Sequence, residues 1–139
     1  MLINKDNIEK YIPQRAPFVM IDVLLSADES GFQTQFQVKE DNLFLENGKL
    51  SESSIVENIA QTCAAGFGYL GSISGESEAK LGFIGAISKL EVYAQSSLGD
   101  LIETRVEILN TFENIHLVEG LALSNGKELV KCQMKIVQA

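Results

Sequence analysis

From residue 80 onward apolar and polar residues alternate along the chain with a period of two. Ile102, Val106 and Ile108 fall opposite Glu103, Arg105 and Glu107, and Val130, Cys132, Met134 and Ile136 fall opposite Lys131, Gln133 and Lys135. Successive side chains of a strand point to opposite faces, so this spacing predicts strands with one face in water. Four segments read this way: LGFIGAISKLEVYA, DLIETRVEIL, IHLVEGLALS and ELVKCQMKIV. Ser124-Asn125-Gly126-Lys127 supplies the Asn-Gly pair of a tight hairpin between the last two. Upstream, FVMIDVLLSA over 18–27 and FQTQFQVK after Gly31 predict a further hairpin. The glycines of LGFIGAIS are expected at strand bends where the backbone comes close to a neighbour.

The period changes between these two sets of strands. Asp6 is expected to cap a short helix over 8–12, which Pro13 ends. LFLENGKL is irregular around an Asn47-Gly48 turn. Ser51 or Ser54 then opens a helix that runs to Tyr69 or Leu70, and Ser54-x-x-Glu57 has capping-box spacing. Ile55, Val56, Ile59, Ala60, Cys63, Ala64, Phe67 and Leu70 make it apolar on too many sides for a surface helix. Its small residues, Ala60, Ala64, Ala65, Gly66 and Gly68, should let another backbone element approach closely. A loop is expected over Gly71 to Glu78. The order implies an α+β fold, one domain over 1–139, in which a curved antiparallel sheet wraps a long central helix; a hotdog fold reads this way.

Composition narrows the function. The 139 residues suffice for one sizeable core, and 45% hydrophobic with 22% charged residues is ordinary for a globular chain. A formal charge of −8 without a basic stripe excludes nucleic-acid binding. No apolar stretch reaches membrane-span length, and MLINKDNIEKYI lacks a signal-peptide core, so a cytoplasmic protein is expected. Cys63 and Cys132 are expected as free thiols, and a single histidine, His116, gives too few ligands for a zinc site. Neither metal nor cofactor is expected. The chemistry is left to carboxylates, amides and backbone groups.

Glu57 is the leading candidate, because it and Gln61 stand at i and i+4 on an otherwise apolar helix, with Asn58 beside them. It reads as a helix-cap residue, as a general acid shielded from water, or as a carboxylate that orients water, with Gln61 holding its orientation through an amide hydrogen bond. His116, in a strand, reads as structural. Arg15, between Pro13 and Pro17, reads as the partner of a phosphate or, preferentially, of Asp22.

Three segments carry a resemblance. Ile12 to Asp22, IPQRAPFVMID, resembles the L-P-H-R-x-P-F-L-x-x-D opening of the 3-hydroxyacyl-(acyl carrier protein) dehydratases of bacterial fatty acid synthesis. Ile55 to Gln61, IVENIAQ, resembles their L-x-E-A-x-A-Q helix, and Ile87 to Asp100 resembles the strand ending in P-G-D. The resemblance implies a hotdog fold and a catalytic glutamate at Glu57. It also sets Asn42 to Glu46 against the family's G-H-F-P-G, so Leu43 replaces the catalytic histidine, and Gln14 replaces the histidine of the opening. Leu43, Phe44, Asn58 and Gln61 are the implied substrate-binding residues. The family's basic R-F-K-R becomes Glu91-Val92-Tyr93-Ala94, leaving Lys80 and Lys89 as contacts for an acidic carrier protein.

The implied substrate is a 3-hydroxyacyl thioester of acyl carrier protein or CoA, whose phosphopantetheine arm arrives with it. Family dimers draw histidine and glutamate from different subunits. A homodimer or higher oligomer of this chain would therefore lack the base, and a heterodimer with a histidine-bearing homologue would restore one site. A thioesterase that uses Glu57, and a non-catalytic acyl-binding or structural subunit, are the alternatives.

Overall fold

The computed structural model describes residues 1–75 and 82–138. Six strands form one antiparallel sheet in the order β1 (Val23–Ala27), β2 (Gly31–Gln37), β7 (Leu101–Phe112), β8 (Ile115–Ser124), β9 (Lys127–Gln138), β5 (Gly82–Val92). Three two-residue strands, β3 (Leu45–Glu46), β4 (Lys49–Leu50) and β6 (Ser96–Ser97), form a small second sheet. The single α-helix among the described residues, α1 (Glu52–Ile73), contacts all six strands of the large sheet. This is the hotdog arrangement: one helix wrapped by one sheet.

The alternating residues land as their pattern predicts. Ile102 and Val106 of β7 and Val130, Cys132, Met134 and Ile136 of β9 are buried against α1, while Glu103, Arg105 and Glu107 are exposed. Asn125 and Gly126 turn the β8–β9 hairpin with φ of 53° and 75°, the left-handed values a two-residue turn needs. Cys63 and Cys132 are free thiols in the core.

The small residues of α1 serve close packing, most tightly at its two later glycines. A Cβ on Gly66 would sit 2.2 Å from the Phe32 ring, and one on Gly68 would sit 2.5 Å from the Tyr11 carbonyl oxygen. In β5 the ladder shifts register at Gly85, as a bend predicts, but the nearest neighbours of Gly82 and Gly85 stand at ordinary contact distance, 3.7 and 3.5 Å.

Several local expectations are corrected. Residues 8–10 form a 3-10 turn rather than an α-helix, and Asp6 does not cap it; Asn7 occupies the cap position, with its amide bonded to Asn4. Ser51 is the N-cap of α1, its hydroxyl accepting the Ser54 N–H at 3.3 Å. Ser54 is thus already helical, and Glu57 lies in the second turn, beyond the reach of a capping role. The helix continues past Leu70 to Ile73, where the Ser74 N–H bonds the Leu70 and Gly71 carbonyls and the hydroxyls of Ser72 and Ser74 add bonds to the Tyr69 and Leu70 carbonyls. Residues 18–22 precede β1 rather than belong to it; side chains of α1 hold Phe18 and Met20, and β2 holds Asp22.

Candidate functional site

Glu57, Ala60, Ala64 and Phe67 recur at three- and four-residue spacing, so the helix period sets them on one stripe of α1. That stripe floors a cavity of about 540 Å³. The Glu9–Arg15 segment forms one wall, and Gly82 to Ile84 of β5 with Ile136 and Gln138 of β9 form the other. Ala60 and Ala64 end at Cβ, so the floor between Glu57 and Phe67 stays open where larger side chains would fill it.

The Glu57 carboxylate is held from beneath. Gln61 is fully buried, and its Oε1 accepts the Met20 N–H at 2.6 Å. A backbone N–H can only donate, which fixes the direction of the amide and turns its Nε2 outward. That nitrogen donates to the Phe18 carbonyl at 2.9 Å and to Glu57 Oε1 at 3.1 Å. Asn58, also fully buried, donates from Nδ2 to the Met20 carbonyl at 2.7 Å, while its Oδ1 accepts the Thr104 hydroxyl. The two helix amides therefore grip both sides of the Met20 peptide, and residues 18–20 are fixed without a sheet ladder.

Of the five residues the sequence nominated, Glu57 alone borders the cavity. Gln61 and Asn58 lie under it with their polar atoms bonded within the protein, Gln61 to Glu57 and Asn58 to Met20 and Thr104. Leu43 is 52% exposed and Phe44 packs against the core, and neither borders the cavity of this chain. Arg15 does not pair with Asp22, whose Oδ2 accepts the Gln37 N–H at 2.8 Å. Instead Arg15 stands on the cavity wall, its Nη1 donating to the Ile12 and Gln14 carbonyls at 2.8 Å each. Gln14, beside it, has a buried Oε1 without a hydrogen-bond partner among the described residues. The sequence pointed to Gln14 only as a place where the resembling family has histidine. Lys89 sits in a bulge of β5 with φ 52°, and Lys80 lies outside the described residues.

The profile of the ApeP-like family, described as ApeP dehydratase, matches residues 6–139. The chain belongs to the ApeP-like dehydratase family. It is 26% identical to the 3-hydroxyacyl-(acyl-carrier-protein) dehydratase FabZ of Clostridioides difficile (strain 630), over 93% of this chain and 92% of that one. Among solved structures it is similar to the dehydratase heterocomplex ApeI:P from Xenorhabdus doucetiae, with TM-score 0.88, 20% identity, and coverage of 95% of this chain and 90% of the other. It is also similar to a hypothetical thioesterase protein with coenzyme A from Streptococcus pneumoniae TIGR4, with TM-score 0.68, 10% identity and 84% coverage of each chain. At these identities the structural likenesses establish the hotdog fold. Family and fold together make this a dehydratase-like hotdog protein.

In this ApeP-like chain the one histidine is tied down away from the acid. His116 Nδ1 bonds the Thr111 hydroxyl at 3.0 Å and Nε2 bonds Gln138 Oε1 at 2.9 Å. Its ring stacks on Phe67 with centroids 4.3 Å apart. Phe67 stands three helical turns beyond Glu57, so His116 packs behind the far end of the cavity. Cys63 borders the cavity, but burial pushes its thiol up to about 12, which leaves it a protonated, weak nucleophile. Among the described residues no three His, Cys, Asp or Glu side chains group to hold a metal ion, and no helix is long and apolar enough to cross a membrane. The arrangement offers an oriented carboxyl group on an open trough of mixed polar and apolar lining.

Proposed function

We propose that this chain is the acid-bearing subunit of a dehydratase acting on 3-hydroxyacyl thioesters, completed by a homologous subunit that brings the catalytic histidine. The observation that carries this reading is the oriented Glu57 carboxyl on a cavity that the chain's one histidine does not border. Dehydration needs a base to take the proton α to the thioester carbonyl and an acid to protonate the departing hydroxyl. Glu57, held by Gln61, is suited to the second task. Leu43, at the position that matches the family's histidine, has no ionisable group for the first.

The open edge of β5 supports the same reading. Phe83 and Ile84 border the cavity and are still 53% and 43% exposed, and Ile87, Leu90 and Val92 continue the apolar row along that edge. A sheet edge with this much exposed apolar surface is a pairing surface. A second hotdog subunit docked there would close the cavity wall and bring residues of its own to it. The heterocomplex of the similar ApeI:P dehydratase is consistent with a mixed pair. The substrate's carrier is acyl carrier protein or CoA, and the chemistry needs no metal or organic cofactor beyond the thioester's own arm.

The test is mass-spectrometric. The chain alone, a histidine-bearing homologue alone, and their mixture are incubated with a 3-hydroxyacyl thioester, and loss of water and release of the acyl group are followed together. Water loss that appears or rises in the mixture and falls 10²- to 10⁴-fold or so with Glu57→Gln is the expected result. Water loss in the mixture unchanged by Glu57→Gln refutes the role of Glu57. Acyl release by the chain alone would make it a thioesterase, and silence in every channel would leave a binding subunit.

A further inference from the structure

The buried face of β2 and β7 carries Phe32, Phe36, Ile102 and Val106, and between them, paired at one rung of the ladder, stand two threonines, Thr34 and Thr104. Each is 1% exposed. Threonine differs from valine in its hydroxyl, which is destabilising in an apolar layer unless it is hydrogen-bonded. The two hydroxyls take different partners. Thr62 gives its proton to the Asn58 backbone carbonyl at 2.9 Å, so Thr34 donates to Thr62 Oγ1 at 2.8 Å, and that path ends on helix backbone. Thr104 donates instead to the side chain of Asn58, at Oδ1, 2.5 Å away.

From Asn58 the bonds run on to the acid. Neither the N–H nor the carbonyl of Met20 has a backbone partner among the described residues, so hydrogen bonding places Met20 through the two helix amides. Its carbonyl only accepts, which turns Asn58 Nδ2 towards it at 2.7 Å and leaves Oδ1 as an acceptor for Thr104. Its N–H only donates, which fixes Gln61 Oε1 at 2.6 Å and aims Nε2 at Glu57, 3.1 Å away. Thr104, Asn58, Met20, Gln61 and Glu57 thus form one unbroken series. The first four are at most 1% exposed, so bulk water has no access to replace a missing member.

We infer that Thr104 is a positioning residue for the Glu57 carboxyl, acting from the sheet through Asn58, Met20 and Gln61. The inference rests on the proposed acid role of Glu57 and deepens it. Without the Thr104 hydroxyl, Asn58 Oδ1 faces an apolar layer unpaired, and the amide gains by turning towards another donor. That turn releases the Met20 carbonyl. The Met20 N–H shifts with it, Gln61 follows, and Nε2 leaves the carboxyl it holds. Thr34 is the matched comparison: it occupies the same rung with the same burial, but Thr62 keeps its bond to the Asn58 carbonyl when Thr34 is lost. Both hydroxyls serve stability, and Thr104 alone also serves the acid.

Thr104→Val, Thr104→Ser and Thr34→Val test this by two readouts. The first needs no substrate: hydrogen exchange of the Gln61 side-chain amide, followed by NMR on the full chain. Thr104→Val is expected to speed that exchange at least roughly tenfold, and Thr104→Ser and Thr34→Val to leave it within about twofold. The second is dehydration of a 3-hydroxyacyl thioester by the mixed assembly. There Thr104→Val should lower kcat roughly tenfold at nearly constant KM, and Thr104→Ser should restore it. Thr34→Val should lower Tm as well, yet keep kcat within about twofold. In a Gln61→Met background, Thr104→Val should change kcat by less than about twofold, because the path to Glu57 is already cut. Gln61 exchange unmoved by Thr104→Val, kcat losses from Thr104→Val and Gln61→Met that multiply, or equal kcat losses from the two valine variants would overturn the assignment. If it falls while turnover still depends on Glu57, the proposed function stands. If no turnover depends on Glu57 but Gln61 exchange follows Thr104 and not Thr34, the proposed function falls and the hold on the carboxyl remains.

Discussion

Replacing Gln61 with methionine isolates the support beneath Glu57. Methionine has nearly the same length and volume, so packing is conserved and the loss is confined to hydrogen bonds. The Met20 N–H, fully buried and bonded to Gln61 Oε1 at 2.6 Å, would be left without an acceptor, at a cost of about 1–3 kcal/mol. The Phe18 carbonyl, beside a half-exposed residue, can find water and should cost about 1 kcal/mol or less. Together these predict a loss of about 3 kcal/mol. For a chain of 139 residues each kcal/mol lowers Tm by about 3–5 °C, so calorimetry at matched protein concentration should show a fall of about 10 °C. Hydrogen exchange gives the local reading: Met20 should lose amide protection well beyond the average of the sheet. In the mixed assembly the rate should fall about 10- to 100-fold at nearly constant KM, because the carboxyl is misplaced and the substrate path is intact. A fall in Tm below about 3 °C with Met20 protection unchanged would refute the claim that Gln61 pins this segment.

Three further outcomes follow from the packing and the thiols. Gly66→Ala should lower Tm even though alanine favours an isolated helix by about 1 kcal/mol, because the new Cβ would lie 2.2 Å from the buried Phe32 ring; a higher Tm would show that the ring yields easily. Burial raises the Cys63 thiol to about 12 and the Cys132 thiol to about 11 from an ordinary 9.0. The folded state therefore keeps protons that the unfolded chain releases, so their contribution is complete below about pH 9 and is lost as pH rises towards 11 and 12; denaturant titrations across that window should show the decline, and iodoacetamide should label neither thiol at pH 8 until the protein unfolds. Leu90→Lys, at a half-exposed position of the β5 edge, should leave Tm of the isolated chain nearly unchanged and weaken assembly in light scattering; an unaltered mass would mean that partners dock elsewhere.

The periodic parts of the fold were legible because burial repeats with the period of the element. Val130, Cys132, Met134 and Ile136 declare a strand face, and Asn125-Gly126 declares its turn, without knowledge of any distant residue. Glu57 was legible for the same reason, as a carboxylate on an apolar helix. What the sequence left hidden depends on contacts between segments far apart in it. FVMID has strand composition, yet Met20 is held by Asn58 and Gln61 from the helix rather than by a neighbouring strand. Ser54 and Glu57 have capping spacing, but the competing Ser51 starts the helix three residues earlier. Arg15 and Asp22 are plausible partners by charge, yet backbone groups claim both. The orphan oxygen of Gln14 has no sequence signal at all, since what marks it is the lack of a donor.

The order of strands also constrains how the molecule comes into being. β5 pairs within the chain with β9 alone, the last of the described strands to leave the ribosome. Until β9 emerges, β5 has no ladder partner, so an apolar strand waits unpaired through the synthesis of β7 and β8. Nucleation must start from the local hairpins β1–β2, β7–β8 and β8–β9, and the strand that shapes the cavity must join late. A nascent chain in that state is exposed to capture by any open sheet edge nearby, which makes the timing of partner synthesis part of the protein's assembly.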